Sequence, residues 1–299
     1  MNPHRLKAYF YLIIVTIIWG LAEPVIKYTL GGIPPLLFLT YRFGLSAFLA
    51  IVIFAITGVK FPKDIKIVFE LILYGVVATL SLVLLFFGLD KTTVLDAVLI
   101  NLANPLIISI GGVYFLKEHI TKREKLGMTI ALLGTLFTVI EPLVQNGNGG
   151  VRTSGNILIF FYLLAAALSA VYAKKLLKAN VDPLFLTNCF FIIGFTILLP
   201  FGFSKYNLSD LAAVPLTYHL GVIFMAIFSG SFAYYLSNKA QKTIEISEAS
   251  VFSYLYPVIA APIAVIWLGE KITPLLVVGA IIITIGVVIA EVKKRRYNS

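Results

Sequence analysis

Residues 116–121 read Leu-Lys-Glu-His-Ile-Thr, and residues 268–273 read Leu-Gly-Glu-Lys-Ile-Thr, 152 positions later. The offset holds well beyond these hexapeptides. Asn104-Pro105 lies over Tyr256-Pro257, Asp96-Ala97 over Glu248-Ala249, Gly127 over Gly279 and Gly134 over Gly286. One such match arises by chance; a constant offset over so many points marks a duplication.

The material between these points is apolar. Of 299 residues, 60% are hydrophobic and 13% are charged, against roughly 25% charge in a soluble domain. A soluble globule has no means of hiding that much apolar surface, and a disordered chain would need low hydrophobicity. A membrane-spanning helix needs about 20 mostly apolar residues. Ten stretches meet that length: roughly 8–30, 35–58, 66–88, 93–116, 124–140, 156–173, 183–202, 216–238, 245–268 and 274–291. They lack the strict alternation of barrel strands. The first run is too long for a signal-peptide core and has no small-residue cleavage site after it, so it reads as a retained helix. The expected fold is an all-α polytopic membrane protein with ten transmembrane helices.

Five spans per copy is an odd number, so the second copy enters the bilayer from the opposite side. The reading is two inverted five-helix repeats, 1–144 and 156–299, joined by an external Gly- and Asn-rich linker, 145–155. Such repeats characterise secondary transporters with a site near the bilayer midplane. With the N-terminus inside, the inner segments hold 18 of the 24 Lys and Arg residues, and the outer ones only Lys91, Arg152, Lys205 and Lys271. That asymmetry follows the positive-inside rule. It assigns the net charge of +10 to orientation and leaves no case for nucleic acid. The expected location is the plasma (inner) membrane, multi-pass, with both termini cytoplasmic.

Trp19-Gly20 with Lys27 in the first span, Pro35 followed by Arg42 in the second, and the repeated Pro…Leu-x-Glu-x-Ile-Thr…Gly…Gly pattern resemble the EamA-type family of the drug/metabolite transporter superfamily. The resemblance covers nearly the whole chain. It implies ten helices, cytoplasmic termini and outward movement of amino acids, other metabolites or drugs. The second half departs from the pattern, with Ser169-Ala170 standing where Trp-Gly is expected; the halves need not contribute equally to a site.

Charges inside hydrocarbon cost at least about 2.5 kcal/mol each, so they are functional or paired. Glu23 and Arg42 each lie about seven residues, roughly 10 Å, from the outer ends of adjacent antiparallel helices. Equal depth suggests either an ion pair that only packs helices or a pair at the cavity, open to a zwitterion or a proton. Lys27 is near enough to the outer interface to snorkel. Thr16, Trp19, Glu23 and Lys27 share one helix face, and Asn101 and Asn104 another. Ser250, Ser253, Tyr254 and Pro257 form the related face of the ninth span, with Ser253 at the repeat position of Asn101. Pro105 and Pro257 each free a carbonyl one turn earlier. Ser231, Tyr234, Tyr235 and Asn238 form a further stripe, as do Tyr162, Ser169 and Tyr172; both read as packing or as ligand platform. The candidate substrate-binding set is Trp19, Glu23, Arg42, Asn101, Asn104, Tyr234, Ser253 and Tyr254. Glu118 with Thr121, and Glu270 with Thr273, read as helix N-terminal caps. Gly127, Gly134, Gly279 and Gly286 should let the fifth and tenth spans pack closely.

The three histidines are scattered and no Gly-rich phosphate loop is present, so no metal, cofactor or nucleotide-driven cycle is expected. The leading reading is a secondary transporter exporting amino acids or related metabolites, its halves rocking about a midplane cavity, with a small-molecule substrate and the lipid bilayer as partners. The alternative is proton-coupled efflux of cationic drugs, with protons as further partners; a remote one is a membrane-embedded lipid-modifying enzyme.

Overall fold

A run of apolar residues in hydrocarbon satisfies its amides only within itself, and the helix is the local way to do so. The computed structural model describes residues 3–58, 61–116, 122–145, 149–202 and 211–291, and these are almost entirely helical. The helices are α1 (Pro3–Leu30), α2 (Pro35–Thr57), α3 (Ile65–Lys91), α4 (Val94–Asn101), α5 (Asn104–Leu116), α6 (Lys122–Gln145), α7 (Gly150–Lys178) and α8 (Pro183–Gly202). They continue with α9 (Leu216–Ala226), a π-helical segment (Ile227–Phe232) and α10 (Ala233–Thr243). Then come α11 (Ile246–Ser250), a 3-10 segment (Val251–Leu255), α12 (Tyr256–Ile266) and α13 (Pro274–Glu291). Among the described residues nine helical stretches are long and apolar enough to cross a membrane, and Pro274–Ala290 is a shorter tenth.

Local chemistry sets several ends. Gly58, at φ 59°, closes α2 in the left-handed conformation that glycine adopts freely. The Asp64 carboxylate accepts from the Lys66 amide at 2.9 Å, and the Asp182 carboxylate from the Leu184 amide at 2.9 Å. Thr273 caps α13, its hydroxyl accepting from the Leu276 amide at 3.1 Å. The Glu118–Thr121 counterpart and linker residues 146–148 lie outside the described residues.

The fourth and ninth spans are each broken where the duplicated proline falls. Pro105 has no amide hydrogen for the Asn101 carbonyl, and the chain turns at Leu102-Ala103 between α4 and α5. The corresponding stretch before Pro257 is the 3-10 segment 251–255. α7 starts at Gly150, earlier than its apolar core implies, because polar residues 150–156 continue the helix to the surface.

The two halves of the chain interleave. The most extensive helix pairs are α3 with α7, α6 with α13, α2 with α8 and α1 with α10, each joining one half to the other. Two arginines clamp this arrangement at opposite ends. Arg152, in the first turn of α7, grips Asp96 of α4 with both arms of its guanidinium at 2.6 and 2.7 Å. Arg5, in the first turn of α1, grips Glu248 of α11 at 2.7 and 2.8 Å. Asp96 and Glu248 stand 152 residues apart, so the acid that the duplication repeats meets, each time, the first helix of the other half.

Candidate functional site

Two connected chambers run between the interleaved helices. The first, of about 90 Å³, is lined by Glu23 and Trp19 of α1, Arg42 of α2, Asn101 of α4, and Tyr162 and Tyr234 among others. The second, of about 160 Å³, continues along α1 past Thr16 to Leu12, and along α10 to Gln241. Trp19, Asn104, Tyr162, Tyr234 and Tyr256 line both.

Glu23 and Arg42 are the charged residues of the first chamber, and among the described residues no ion pair joins them. The ion-pair form of the sequence expectation is corrected here. Equal depth brought both to one cavity, but rise along a helix says nothing about lateral direction. Glu23 Oε1 accepts from Asn101 Nδ2 at 2.6 Å. Arg42, 1% exposed, donates from Nε to the Met225 carbonyl at 2.9 Å. Its guanidinium carbon lies 5.6 Å from the Phe86 ring centre and 6.0 Å from that of Phe43, close enough for the cation to be held by the rings. Glu23 Oε2, Arg42 Nη1, Asn101 Oδ1 and Asn104 Oδ1 are buried without a protein partner. Four idle polar atoms of both signs on one small cavity are costly unless something else completes them.

The aromatic wall comes mostly from the second half. Trp19 meets Tyr234 edge-on at 5.2 Å and Tyr256 at 6.4 Å. Trp19 also donates from Nε1 to the Ser229 carbonyl at 3.0 Å. Ser229 belongs to the π-helical segment, whose wider turn departs from the α ladder. Around it three carbonyls are taken up by side chains of the first half: Met225 by Arg42, Ala226 by the Ser46 hydroxyl at 3.0 Å, and Ser229 by Trp19.

That wider turn also splits the predicted stripe on the eighth span. Tyr234 and Asn238 face the chambers, whereas Tyr235 accepts from Lys239 Nζ at 3.0 Å away from them, and Ser231 lines neither. Ser253 lines the second chamber and Tyr254 lines neither. Ser169 lines the second chamber and Tyr172 does not. Tyr162, Ser229 and Tyr256 were not singled out as substrate contacts. Tyr256 carried a signal, since it occupies the repeat position of Asn104.

The end of the cavity beyond Glu23 is closed. Tyr28 stacks on Tyr218 at 5.2 Å and on Trp267 at 4.8 Å. Lys27 donates to the Leu89 carbonyl at 2.7 Å. Glu270 does not serve the helix that follows it. Its two oxygens accept from the Val94 and Leu95 amides at 2.7 and 2.9 Å, capping α4 from across the molecule. Burial pushes the Glu270 carboxyl above the usual carboxylate range, against the pull of those two amides and of Lys27.

A profile of the EamA-like transporter family matches residues 6–140 and again 153–291. An uncharacterized transporter of Bacillus subtilis, YyaM, is 28% identical over 99% of this chain and 97% of its own. A protein of Salmonella typhimurium named a probable amino-acid metabolite efflux pump is 26% identical over 94% of this chain and 93% of its own. A solved crystal structure 16% identical in sequence superposes with a TM-score of 0.64 over 98% of this chain and 99% of that one; at that identity the likeness concerns fold.

Proposed function

The chain belongs to the EamA-like transporter family, and from that premise we propose that it is a secondary transporter exporting amino acids or related metabolites by alternating access. The observation that carries the substrate reading is the first chamber. It holds one carboxylate and one guanidinium, unpaired with each other, each with an idle buried atom. A zwitterion completes both: its ammonium at Glu23, its carboxylate at Arg42. Relatives named for amino-acid metabolite efflux, from Salmonella typhimurium and Escherichia coli, agree with that chemistry.

The chambers reach toward the start of α1 and the end of α10, while aromatic stacks and Glu270 shut the other end. With the N-terminus cytoplasmic, the orientation that the lysine and arginine distribution supports, this is an inward-open state. Interleaving makes the sequence halves unsuited to move as blocks. The rocking bodies in this proposal are α3, α4, α5 and α7 on one side, held by the Arg152–Asp96 clamp, and α1, α10 and α12 on the other; α11, which Arg5 ties to α1, also packs on α5 and bridges the two. The repeats 1–144 and 156–299 remain the units of duplication.

One feature favours efflux of cations as the second reading. Trp19, Tyr162 and Tyr256 surround the Glu23 side of the chamber, and such rings hold quaternary ammonium ions. Proteoliposomes tested with amino acids and with quaternary cations, with and without a pH gradient, separate the two. Amino-acid uptake lost in Arg42→Gln supports the first reading, and proton-dependent cation uptake indifferent to Arg42 replaces it with the second.

A further inference from the structure

The second chamber differs chemically from the first, although the two are continuous. None of its described lining residues is charged. Its polar atoms come from serines, Asn238 and Gln241, with Asn104 at the junction, and from the hydroxyls of Tyr74, Tyr162, Tyr234 and Tyr256. Most of the serine hydroxyls have already spent their single hydrogen. Ser169 donates to the Ala166 carbonyl at 2.9 Å, Ser250 to that of Ser247 at 2.9 Å and Ser253 to that of Ser250 at 2.8 Å. A hydroxyl whose hydrogen is committed offers only lone pairs. Gln241 donates from Nε2 to Ser237 at 3.0 Å, and its Oε1 is buried without a partner, as is Asn104 Oδ1. The chamber is therefore polar but uncharged, with spare acceptors on the serines, Gln241 and Asn104 and donors on the tyrosine hydroxyls.

The lack of charge selects the ligand group. A carboxylate would give up its hydration here with no cation to replace it. An ammonium has donors, but it would enter an uncharged chamber and lose its hydration without a counter-ion. It would also approach the Lys174 ammonium, which donates to the main-chain carbonyls of Gln241 and Ile244 at the chamber's far end. A neutral polar group, such as a carboxamide or a hydroxyl, fits on both counts. The reach is set by helix rise. Trp19 lies four residues below Glu23, about 6 Å, and Gln241 lies seven below Tyr234, which Trp19 contacts, about 10 Å. Allowing about 3 Å for a hydrogen bond at each end leaves a tail of roughly 10 Å.

The geometry points to an elongated substrate: an amino acid whose head sits between Glu23 and Arg42 and whose long side chain is uncharged and polar, lying in the second chamber. This rests on the zwitterion reading of the first chamber and narrows it to one side-chain chemistry.

The test is direct binding to the full-length purified protein, by calorimetry, with five probes. Alanine supplies the head alone. Glutamine and glutamate, and Nε-acetyllysine and lysine, are two pairs that differ chiefly in tail charge. Each uncharged member binds at least tenfold more tightly than its charged partner, and Nε-acetyllysine binds more tightly than alanine. Gln241→Leu and, separately, Ser253→Ala shrink the Nε-acetyllysine advantage over alanine about tenfold and threefold; a ratio within one preparation does not depend on folding yield. Equal affinities within the pairs, or an advantage untouched by both variants, overturn the inference while alanine binding keeps the zwitterion head in place. If none of the five probes binds, the head reading falls and this inference falls with it.

Discussion

The crossing of α6 and α13 brings two backbones together at glycines, and it permits a graded prediction. A Cβ on Gly286 would lie 2.3 Å from the Ala131 amide nitrogen and 2.7 Å from the Gly127 carbonyl oxygen; one on Gly127 would lie 2.4 Å from the Ala290 nitrogen and 2.5 Å from the Gly286 oxygen. These are backbone atoms of the facing helix, so no rotamer change relieves them. Ordinary contact begins near 3.4 Å, and the helices must part by about 1 Å to admit one methyl group. In lipid, close backbone approach is itself the main source of association, and forced overpacking costs about 1–3 kcal/mol. Gly286→Ala and Gly127→Ala should fall at the upper end, about 3 kcal/mol. Gly134→Ala, whose nearest obstacles lie at 2.9 Å, should cost about 1 kcal/mol. Gly150→Ala meets nothing within 4 Å and serves as the control. The assay is the midpoint of thermal unfolding in one detergent, followed by loss of the monodisperse size-exclusion peak. Gly286→Ala as stable as Gly150→Ala would refute the argument.

Three further predictions concern the cavity and its orientation. Because Glu23 and Arg42 do not touch, Glu23→Gln and Arg42→Gln should add within about 0.5 kcal/mol in thermal stability of the empty protein, yet be strongly non-additive in amino-acid uptake; a large stability coupling would restore the ion pair. With Cys189 replaced, cysteine at Gly150 should react with an impermeant thiol reagent from outside intact cells and cysteine at Lys63 only after lysis, and the reverse pattern would invert the topology. Glu270 holds its proton more tightly while buried on the closed end than it would when that end opens to water. Falling external pH, from above the raised value toward the ordinary carboxylate range, should therefore favour closure; labelling of a cysteine at Tyr28, taken relative to that of a cysteine at Gly150 to cancel the thiol's own ionisation, should slow on acidification, and Glu270→Gln should abolish that relative dependence.

Ten spans were legible because hydrocarbon thickness imposes one length on every helix, and the duplication was legible because equal-length spans preserve a constant offset. Even Asp96 over Glu248, noticed only as a sequence match, proved to mark the paired arginine clamps. What escaped was settled by neighbours distant in sequence. Ile227–Phe232 departs from the wholly apolar turn before it only at Ser229-Gly230-Ser231, and its π geometry shows in which carbonyls Arg42, Ser46 and Trp19 capture. Glu270 precedes a helix and resembles a partner for that helix's dipole, but its carboxylate reaches α4 because the loop folds back over the other half.

The cavity shows how a duplicated scaffold produces an unequal site. Both charges, Glu23 and Arg42, come from the first half, and so does the Asn101 amide that holds Glu23. At the repeat positions of Asn101 and Asn104 the second half places Ser253 and Tyr256, a neutral hydroxyl and a ring. Charge therefore concentrates toward the end closed by Glu270, and uncharged polar groups toward the open end. A symmetric site would bind an asymmetric solute equally well in two opposed orientations. In the transport cycle proposed above, a zwitterionic head has one place to go and the tail direction follows from it, so that the duplication would supply the two-bundle motion and the divergence of its copies would orient the cargo.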